Sequence, residues 1–180
     1  MHPMEGAVRG GEVLALVQRS VRRRDYELRR GDRDVGWLRF PPGRRSTAQA
    51  EGSQTGSLLL TASRGGVEVR SGEGGGTTVA TVERAGRGAW VIRTTHGSAT
   101  SWRRTGRHRW VIGSGETSLL SLTAVQGLLK SSVRITAQQD IPEPAGMLLC
   151  LIGGFLALRE LQAEIEGSAS VGGVVATGAG

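Results

Sequence analysis

The chain has little of the residue types that build reactive or cross-linked sites. Its 180 residues include one cysteine, Cys150, and three histidines, His2, His96 and His108. A single cysteine excludes an internal disulfide, and because Cys150 lies in an apolar run we expect a weakly reactive thiol. The histidines share no metal-ligand spacing with one another, with the cysteine or with a carboxylate pair. We therefore predict no metal site and no cofactor.

Sequence motifs of catalysis are also missing. No nucleophile elbow of the form G-x-S-x-G occurs. Two glycine-rich segments, 72–78 and 113–117, lack the Lys-Ser/Thr pair of a phosphate loop, and we interpret them as hairpin connections. A triad assembled in space from distant positions stays open, but no residue supports it. We predict that the protein is not an enzyme.

Lysine and acidic residues are scarce beside arginine. Asp and Glu together number 16, against 23 Lys and Arg, of which only Lys130 is lysine, and the formal net charge is +7. A basic surface attracts anionic partners over a long and salt-sensitive range. Acidic phospholipid head groups and nucleic acid are both open as partners, as is a solvated surface without function.

The N-terminal part has no long apolar segment. Between Met1 and Arg24 the main apolar stretch is Val13–Val17, which is shorter than the core of a secretory signal. We therefore expect a cytoplasmic protein. We also expect residues 1–11 to be flexible and residues 167–180, which are mostly small, to form a disordered tail.

What the chain does contain is a series of short strand patterns. Segments rich in Val, Ile, Leu, Trp and Thr alternate with glycine-containing turns, which is typical of consecutive hairpins. About a dozen such segments recur every 8–12 residues or so, a spacing that favours a sandwich or a barrel. The segments are Val13–Arg19, Tyr26–Arg30, Val35–Phe40, Thr47–Glu51, Leu58–Thr61, Val67–Arg70, Thr78–Arg84, Ala89–Thr94, Ala99–Arg104, Arg107–Ile112, Ser118–Leu122 and Ser131–Ala137.

The longest apolar segment, Ala145–Leu158, follows Pro142 and Pro144 and has no polar side chain. It falls short of the roughly 20 residues that a membrane span needs. Lengthening it would place charged residues such as Arg159 in hydrocarbon. Helical spacing of apolar residues continues to Ile165, so we predict a helix over about 144–166. Because this helix is apolar on every face, protein must surround it.

A closed sheet supplies those surroundings. A barrel of about twelve strands has room for a central helix, and closure removes exposed strand edges. With four Trp, two Phe and one Tyr in the chain, the inward side chains are mostly Val, Leu and Ala, so the barrel needs a filler. The predicted fold is mainly β: a closed antiparallel barrel of about twelve strands around a central hydrophobic C-terminal helix. It spans residues 12–166, and we expect a monomer with no transmembrane span.

Two parts of the chain carry a family resemblance. They are YELRR at 26–30 with VGWLRF at 35–40, and PEPAGMLLCLIGGFLAL at 142–158. With the strand series, they resemble the tubby C-terminal-like superfamily, which includes phospholipid scramblases and LURP-one-related proteins, and most nearly its uncharacterised bacterial members. The resemblance implies a twelve-stranded barrel around a helix and an association with phospholipid. The chain lacks an acylation cysteine cluster, an acidic calcium-binding loop and the lysines of tubby's lipid site, so no functional residue is carried over.

A second resemblance concerns residues 142–159. Pro142-Glu-Pro144, an apolar stretch and then Arg159 are similar to the PEP-type C-terminal sorting signal of exported bacterial proteins. Such signals end the chain in a basic cluster. Here 21 residues follow Arg159, and three of the next seven are glutamates. Export through this signal is the remoter alternative.

The candidate functional residues lie in the segment 102–110, WRRTGRHRW. We predict a hairpin that turns at Thr105-Gly106 and brings four guanidinium groups together, flanked by two indoles. Guanidinium suits phosphate, and indole suits a membrane interface or a base stack. The candidate set is Arg103, Arg104, Arg107, Arg109, Trp102 and Trp110. The alternative is a solvated hairpin whose tryptophans face the barrel interior. A weaker basic cluster is Arg22-Arg23-Arg24.

These observations lead to a ranked set of functions. The first is a non-enzymatic domain that binds anionic phospholipid head groups, as a cytoplasmic protein peripheral to the inner face of a membrane. Next come a nucleic-acid-binding barrel and a protein-interaction barrel. Only the outer surface of the barrel distinguishes them.

Overall fold

The computed structural model describes residues 7–44, 46–72, 76–97, 99–127 and 130–171. All twelve predicted segments form strands, and two short strands and a helix complete the fold. The elements are β1 Ala7–Val8, β2 Val13–Ser20, β3 Arg23–Arg30, β4 Arg33–Arg39, β5 Thr47–Gly52, β6 Gly56–Ala62, β7 Gly66–Ser71, β8 Thr78–Gly86, β9 Ala89–Thr94, β10 Thr100–Gly106, β11 Arg109–Ser114, β12 Thr117–Gln126, β13 Ser131–Ala137, β14 Ile141–Pro142 and α1 Ala145–Val171.

Strands β2 to β13 form a closed antiparallel barrel in chain order. Each strand pairs with the next along the chain, and β13 pairs with β2, with Val133 opposite Leu16. The short strands β1 and β14 pair separately, with Val8 opposite Ile141. The predicted mainly β barrel with a C-terminal helix is therefore confirmed.

The helix α1 fills the interior of the barrel. Leu151, Ile152 and Phe155 are fully buried, and they belong to one continuous core with inward side chains of the strands such as Leu16. Burial of each such side chain is worth roughly 1.5–3 kcal/mol. By length and mean hydropathy, 1.4, residues 145–168 qualify as a membrane span, but 78% of the apolar window is buried inside the protein. This burial is consistent with the prediction that the chain has no transmembrane span.

Two glycines let the helix lie close to the barrel wall. A Cβ on Gly154 would overlap Cδ1 of Leu16, and one on Gly153 would lie 3.0 Å from Cδ1 of Ile112. Their presence costs helix propensity, because glycine is about 1 kcal/mol less favourable than alanine in a helix interior. The close approach explains why glycine occupies both positions.

The ends of the barrel domain differ from the prediction. The helix begins at Ala145 but continues past Gly167 to Val171, and the Ser168 hydroxyl donates to the Glu164 carbonyl in this extra turn. Val8, within the segment predicted to be flexible, is fully buried because β1 pairs with β14. The rest of the predicted flexible ends, residues 1–6 and 172–180, lies outside the described residues.

One predicted turn was wrong. Thr105-Gly106 stays within β10, and the chain reverses at Arg107-His108, with Gly106 opposite Arg109. The register shifts between Arg104 and Gly106, so a bulge places the glycine inside the strand. His108 takes the left-handed conformation, φ 57°, that the turn requires.

Candidate functional site

The strand order places six connections at one end of the barrel. Consecutive antiparallel strands alternate in direction, so every second connection lies at the same end. The connections that follow β2, β4, β6, β8, β10 and β12 share the end at which α1 leaves the barrel. Each of them carries an exposed basic residue, and none carries a carboxylate in the parts that the structure describes. We call this end the basic end; the six residues are Arg22, Arg44, Arg64, Arg87, Arg107 and Lys130.

The opposite end has a different charge. Its connections carry the carboxylates of Glu12, Asp32, Glu116 and Asp140, alongside Arg9. The net charge of +7 is therefore unevenly distributed along the barrel axis. The connections at the basic end therefore carry more positive charge than those at the opposite end, which favours a long-range attraction of anions to the basic end.

The two candidate tryptophans lie inside the barrel. Trp102 and Trp110 are each 1% exposed, and their rings stack with centroids 5.8 Å apart. Both indole N–H groups donate to the carboxylate of Glu160 on α1, at 3.2 Å from Trp102 and 2.6 Å from Trp110. Neither indole reaches the surface. Both tryptophans therefore face the barrel interior, as the alternative interpretation of this hairpin states. Their hydrogen bonds join β10 and β11 to α1.

Arg104 is also directed towards the helix. Its guanidinium lies 2.5 Å from the carboxylate of Glu164, and the Nε2 atom of His108 lies 3.0 Å from the other oxygen of that carboxylate. The hydrogen bond from Arg104, followed by that from His108, lowers the pKa of Glu164. Arg104 therefore pairs with a carboxylate and does not project freely into solvent.

The remaining candidate arginines are exposed. Arg103, Arg107 and Arg109 have no carboxylate partner within the described residues. Arg103 faces outward from β10, opposite Val111, while Arg107 lies in the turn. The hairpin thus separates the candidate set, because Arg104 and the tryptophans face the helix and the other three arginines face solvent.

A second cluster, which we call the arginine pocket, lies beside the point where α1 leaves the barrel. Arg22, Arg23, Arg24, Arg39 and Phe40 line a cavity of about 580 Å³, and Gln162 of α1 forms part of its wall. The Arg24 guanidinium packs over the Phe40 ring at 5.0 Å. Of these guanidinium groups, only that of Arg39 has a carboxylate partner among the described residues, Asp25 at 3.2 Å. Arg22, Arg23 and Arg24 therefore have no carboxylate partner in the part of the chain that the structure describes.

Exposed apolar side chains accompany the basic residues. Val21 is 52% exposed in the turn before β3, and Val125 is 54% exposed near the end of β12. These turns are neighbours, because Lys130 Nζ donates to the Arg19 carbonyl at 3.4 Å. Ile165, 46% exposed, lies on α1 three residues beyond Gln162, and therefore on the side of the helix that borders the arginine pocket.

The opposite end holds buried ionisable groups that stabilise the start of α1. Glu143 accepts the backbone N–H of Met147 at 2.9 Å and lies 3.6 Å from Arg30, whose Nε lies 3.1 Å from Glu12. Burial raises the pKa of Glu143. Desolvation also raises the pKa of the Cys150 thiol to about 12, so that this thiol is protonated at neutral pH. Among the described residues no group of three His, Cys, Asp or Glu side chains is placed to hold a metal ion.

No protein-family model, curated protein or solved structure matches the chain. Membership of the tubby-like superfamily therefore stays a prediction. The fold is shown by the molecule itself, and any function must be argued from its surface.

Sequence reasoning found the arginines but not their grouping. The cluster Arg22-Arg23-Arg24 was ranked below the segment 102–110, yet the structure places it in a cavity of about 580 Å³. The available signal was the order of the hairpins: in a chain of consecutive hairpins, every second connection must lie at one end. The contacts of Glu160 and Glu164 had no such signal, because their partners are 50 to 60 residues away.

Proposed function

We propose that the protein is a non-enzymatic domain whose basic end docks on a membrane surface rich in anionic phospholipid. The observation that carries this proposal is the combination of six exposed basic connections with exposed Val21 and Val125 on neighbouring turns. Basic residues near an anionic leaflet contribute about 1 kcal/mol each. Apolar side chains beside them gain further free energy by entering the interface.

The arginine pocket gives this surface a specific contact point. Arg22, Arg23 and Arg24 have no carboxylate partner in the described part of the chain, and guanidinium groups bind phosphate oxygens in a bidentate manner. The pocket lies beside Ile165, so docking of the basic end would bring both the pocket and Ile165 into contact with the membrane. We expect a head-group phosphate there.

Anionic phospholipid suits this surface better than nucleic acid does. Proteins that bind single strands without sequence preference combine basic grooves with aromatic side chains on which bases stack. Near these arginines, Trp102, Trp110 and Phe40 are at most 4% exposed, and Trp37, whose ring lies 5.2 Å from the Arg39 guanidinium, is half-buried. Exposed valines, by contrast, gain little from contact with a phosphate backbone.

The proposal extends to place and family. A protein that docks in this way acts at the anionic cytoplasmic leaflet as a peripheral protein. A closed barrel of twelve strands around an apolar helix also supports membership of the tubby-like superfamily. Burial of α1 in the barrel favours docking over use of residues 142–159 as a sorting signal.

Co-sedimentation with vesicles tests the proposal. We expect the protein to pellet with vesicles of 70% phosphatidylcholine and 30% phosphatidylserine, and not with pure phosphatidylcholine. Changing Arg22 and Arg23 together to Glu should weaken binding at least tenfold. The matched control changes Arg9 and Arg33, both exposed at the opposite end, to Glu. It alters the net charge equally and should retain most of the binding.

Two results would contradict the proposal. One is equal binding to neutral and anionic vesicles, and the other is an equal loss in the two double variants, because net charge alone would then account for attraction. A gel-shift assay with DNA and RNA at low salt supplies the comparison. Retardation of nucleic acid without vesicle binding would favour the nucleic-acid alternative.

A further inference from the structure

The C-terminal part of α1 carries three carboxylates, Glu160, Glu164 and Glu166, and its last turn has no basic residue. Glu160 and Glu164 lie before the last turn and accept hydrogen bonds from side chains outside the helix. The barrel supplies those contacts at the basic end.

Glu160 and Glu164 bind the barrel in two different ways. Glu160 accepts hydrogen bonds from two buried indoles, so its contact is shielded from solvent. Glu164 is 35% exposed and meets Arg104, which is 41% exposed. Exposed ion pairs are worth about 0–1 kcal/mol, because solvent screens them.

A membrane surface can compete with Glu164 for Arg104, because the two interactions are similar in strength. An anionic leaflet attracts each nearby basic residue by about 1 kcal/mol, which is similar to the strength of an exposed ion pair. Glu160 lies one turn earlier and holds the helix by buried bonds. Exchange of the Glu164 contact therefore leaves the core of the barrel intact.

We propose that the part of α1 beyond Glu160 masks the basic end: Glu164 occupies Arg104 and His108 in the free protein, and phosphates of the membrane replace it on docking. This inference rests on the proposed function and adds regulation to the same surface. The lowered pKa of Glu164 means that its carboxylate stays ionised at neutral pH. The mask is therefore present under ordinary conditions.

A double-mutant cycle on vesicle binding tests the mask. Arg104→Ala should change the affinity of the wild type for phosphatidylserine vesicles less than twofold, because the gain from a phosphate contact with Arg104 is offset by the loss of its ion pair with Glu164. In the Glu164→Gln background, Arg104→Ala should weaken binding about fivefold. The Arg104 guanidinium is free in that background and attracts the membrane by about 1 kcal/mol, as any basic residue near the surface does. Arg103→Ala is the matched control. Arg103 is exposed and unpaired among the described residues, so its effect should be equal in both backgrounds.

A second control separates unmasking from net charge. Glu83 is exposed on β8 near the basic end, opposite Gly66, and its described partner is Arg93 at 3.9 Å. Glu83→Gln removes one negative charge as Glu164→Gln does, but frees neither Arg104 nor His108. We expect Glu164→Gln to strengthen binding several-fold more than Glu83→Gln. Circular dichroism and thermal melting of each variant establish that the barrel is folded.

Each outcome has one meaning. An equal effect of Arg104→Ala in both backgrounds, or equal gains from the two Glu→Gln changes, would overturn the mask while leaving membrane docking intact. Loss of all vesicle binding in the wild type and in Glu164→Gln would instead refute docking itself. Vesicle binding by Glu164→Gln but not by the wild type would support the mask, because Glu164 would then block docking completely.

Discussion

At the scale of single residues, Glu160 ties the helix to the barrel wall. Its two oxygens accept from the indoles of Trp102 and Trp110, and these rings stack on each other in the core. Each indole N–H therefore has an acceptor, and each carboxylate oxygen has a donor. Because the site is shielded from water, leaving one of these polar groups unpaired is costly.

The first prediction concerns this carboxylate. Glu160→Gln keeps the size of the side chain but turns an NH2 group towards one of the indole N–H groups, which leaves that donor without an acceptor. We expect the free energy of unfolding to fall by about 1–3 kcal/mol, measured by urea denaturation. Glu51→Gln, on the exposed face of β5, is the control and should change it by less than 0.5 kcal/mol or so. Equal stability of Glu160→Gln and wild type would contradict the assigned role.

Residue positions were predictable only where a local pattern determines them. Alternation places Trp102 on the face of β10 opposite to Arg103, and Trp110 on the face of β11 opposite to Arg109, which is why interior tryptophans were one of two interpretations. The carboxylates that meet Trp102 and Arg104 were not predictable. They depend on the depth to which α1 enters the barrel, and no local pattern sets this depth.

At the scale of elements, the fit between α1 and β2 depends on a glycine. A Cβ on Gly154 would overlap Cδ1 of Leu16, which is fully buried, so one of the two side chains would have to shift. At position 154, helix propensity therefore favours alanine, whereas packing favours glycine. Overpacking of a core costs about 1–3 kcal/mol, more than the gain of about 1 kcal/mol from alanine.

The second prediction follows from this comparison. Gly154→Ala should lower the melting temperature by several degrees. The same change should cost less in a Leu16→Ala background, because the overlapping methyl group is then absent. Gly167→Ala is the matched control in the same helix, since a Cβ there meets nothing within 4 Å. It should leave the melting temperature unchanged or raise it slightly. A rise for Gly154→Ala would contradict the close approach.

The elements themselves were largely predictable. All twelve barrel strands lie where alternation and glycine turns predicted them, since each strand has one buried and one solvated face. The turn after β10 was wrong because a bulge moved Gly106 into the strand. The predicted helix end was wrong because it was placed from apolar spacing, which stops at Ile165, whereas the helix continues to Val171.

At the scale of the whole molecule, the arrangement of charge is the property that bears on function. Net charge was known from composition, but its segregation depends on which connections share an end of the barrel. Six basic connections and two exposed valines lie together where α1 leaves the barrel. A single approach to a membrane would bring all of them into contact with lipid.

The most direct test of this account is which end of the barrel meets the membrane. Val21→Cys and Val13→Cys place an environment-sensitive fluorophore at opposite ends, on side chains of similar exposure, 52% and 46%. Cys150 need not be removed, because it is fully buried and burial raises its pKa to about 12. With phosphatidylserine vesicles, we expect a blue shift and increased emission from the label at position 21, and no change at position 13. An equal response at both positions, or a response only at position 13, would contradict docking through the basic end.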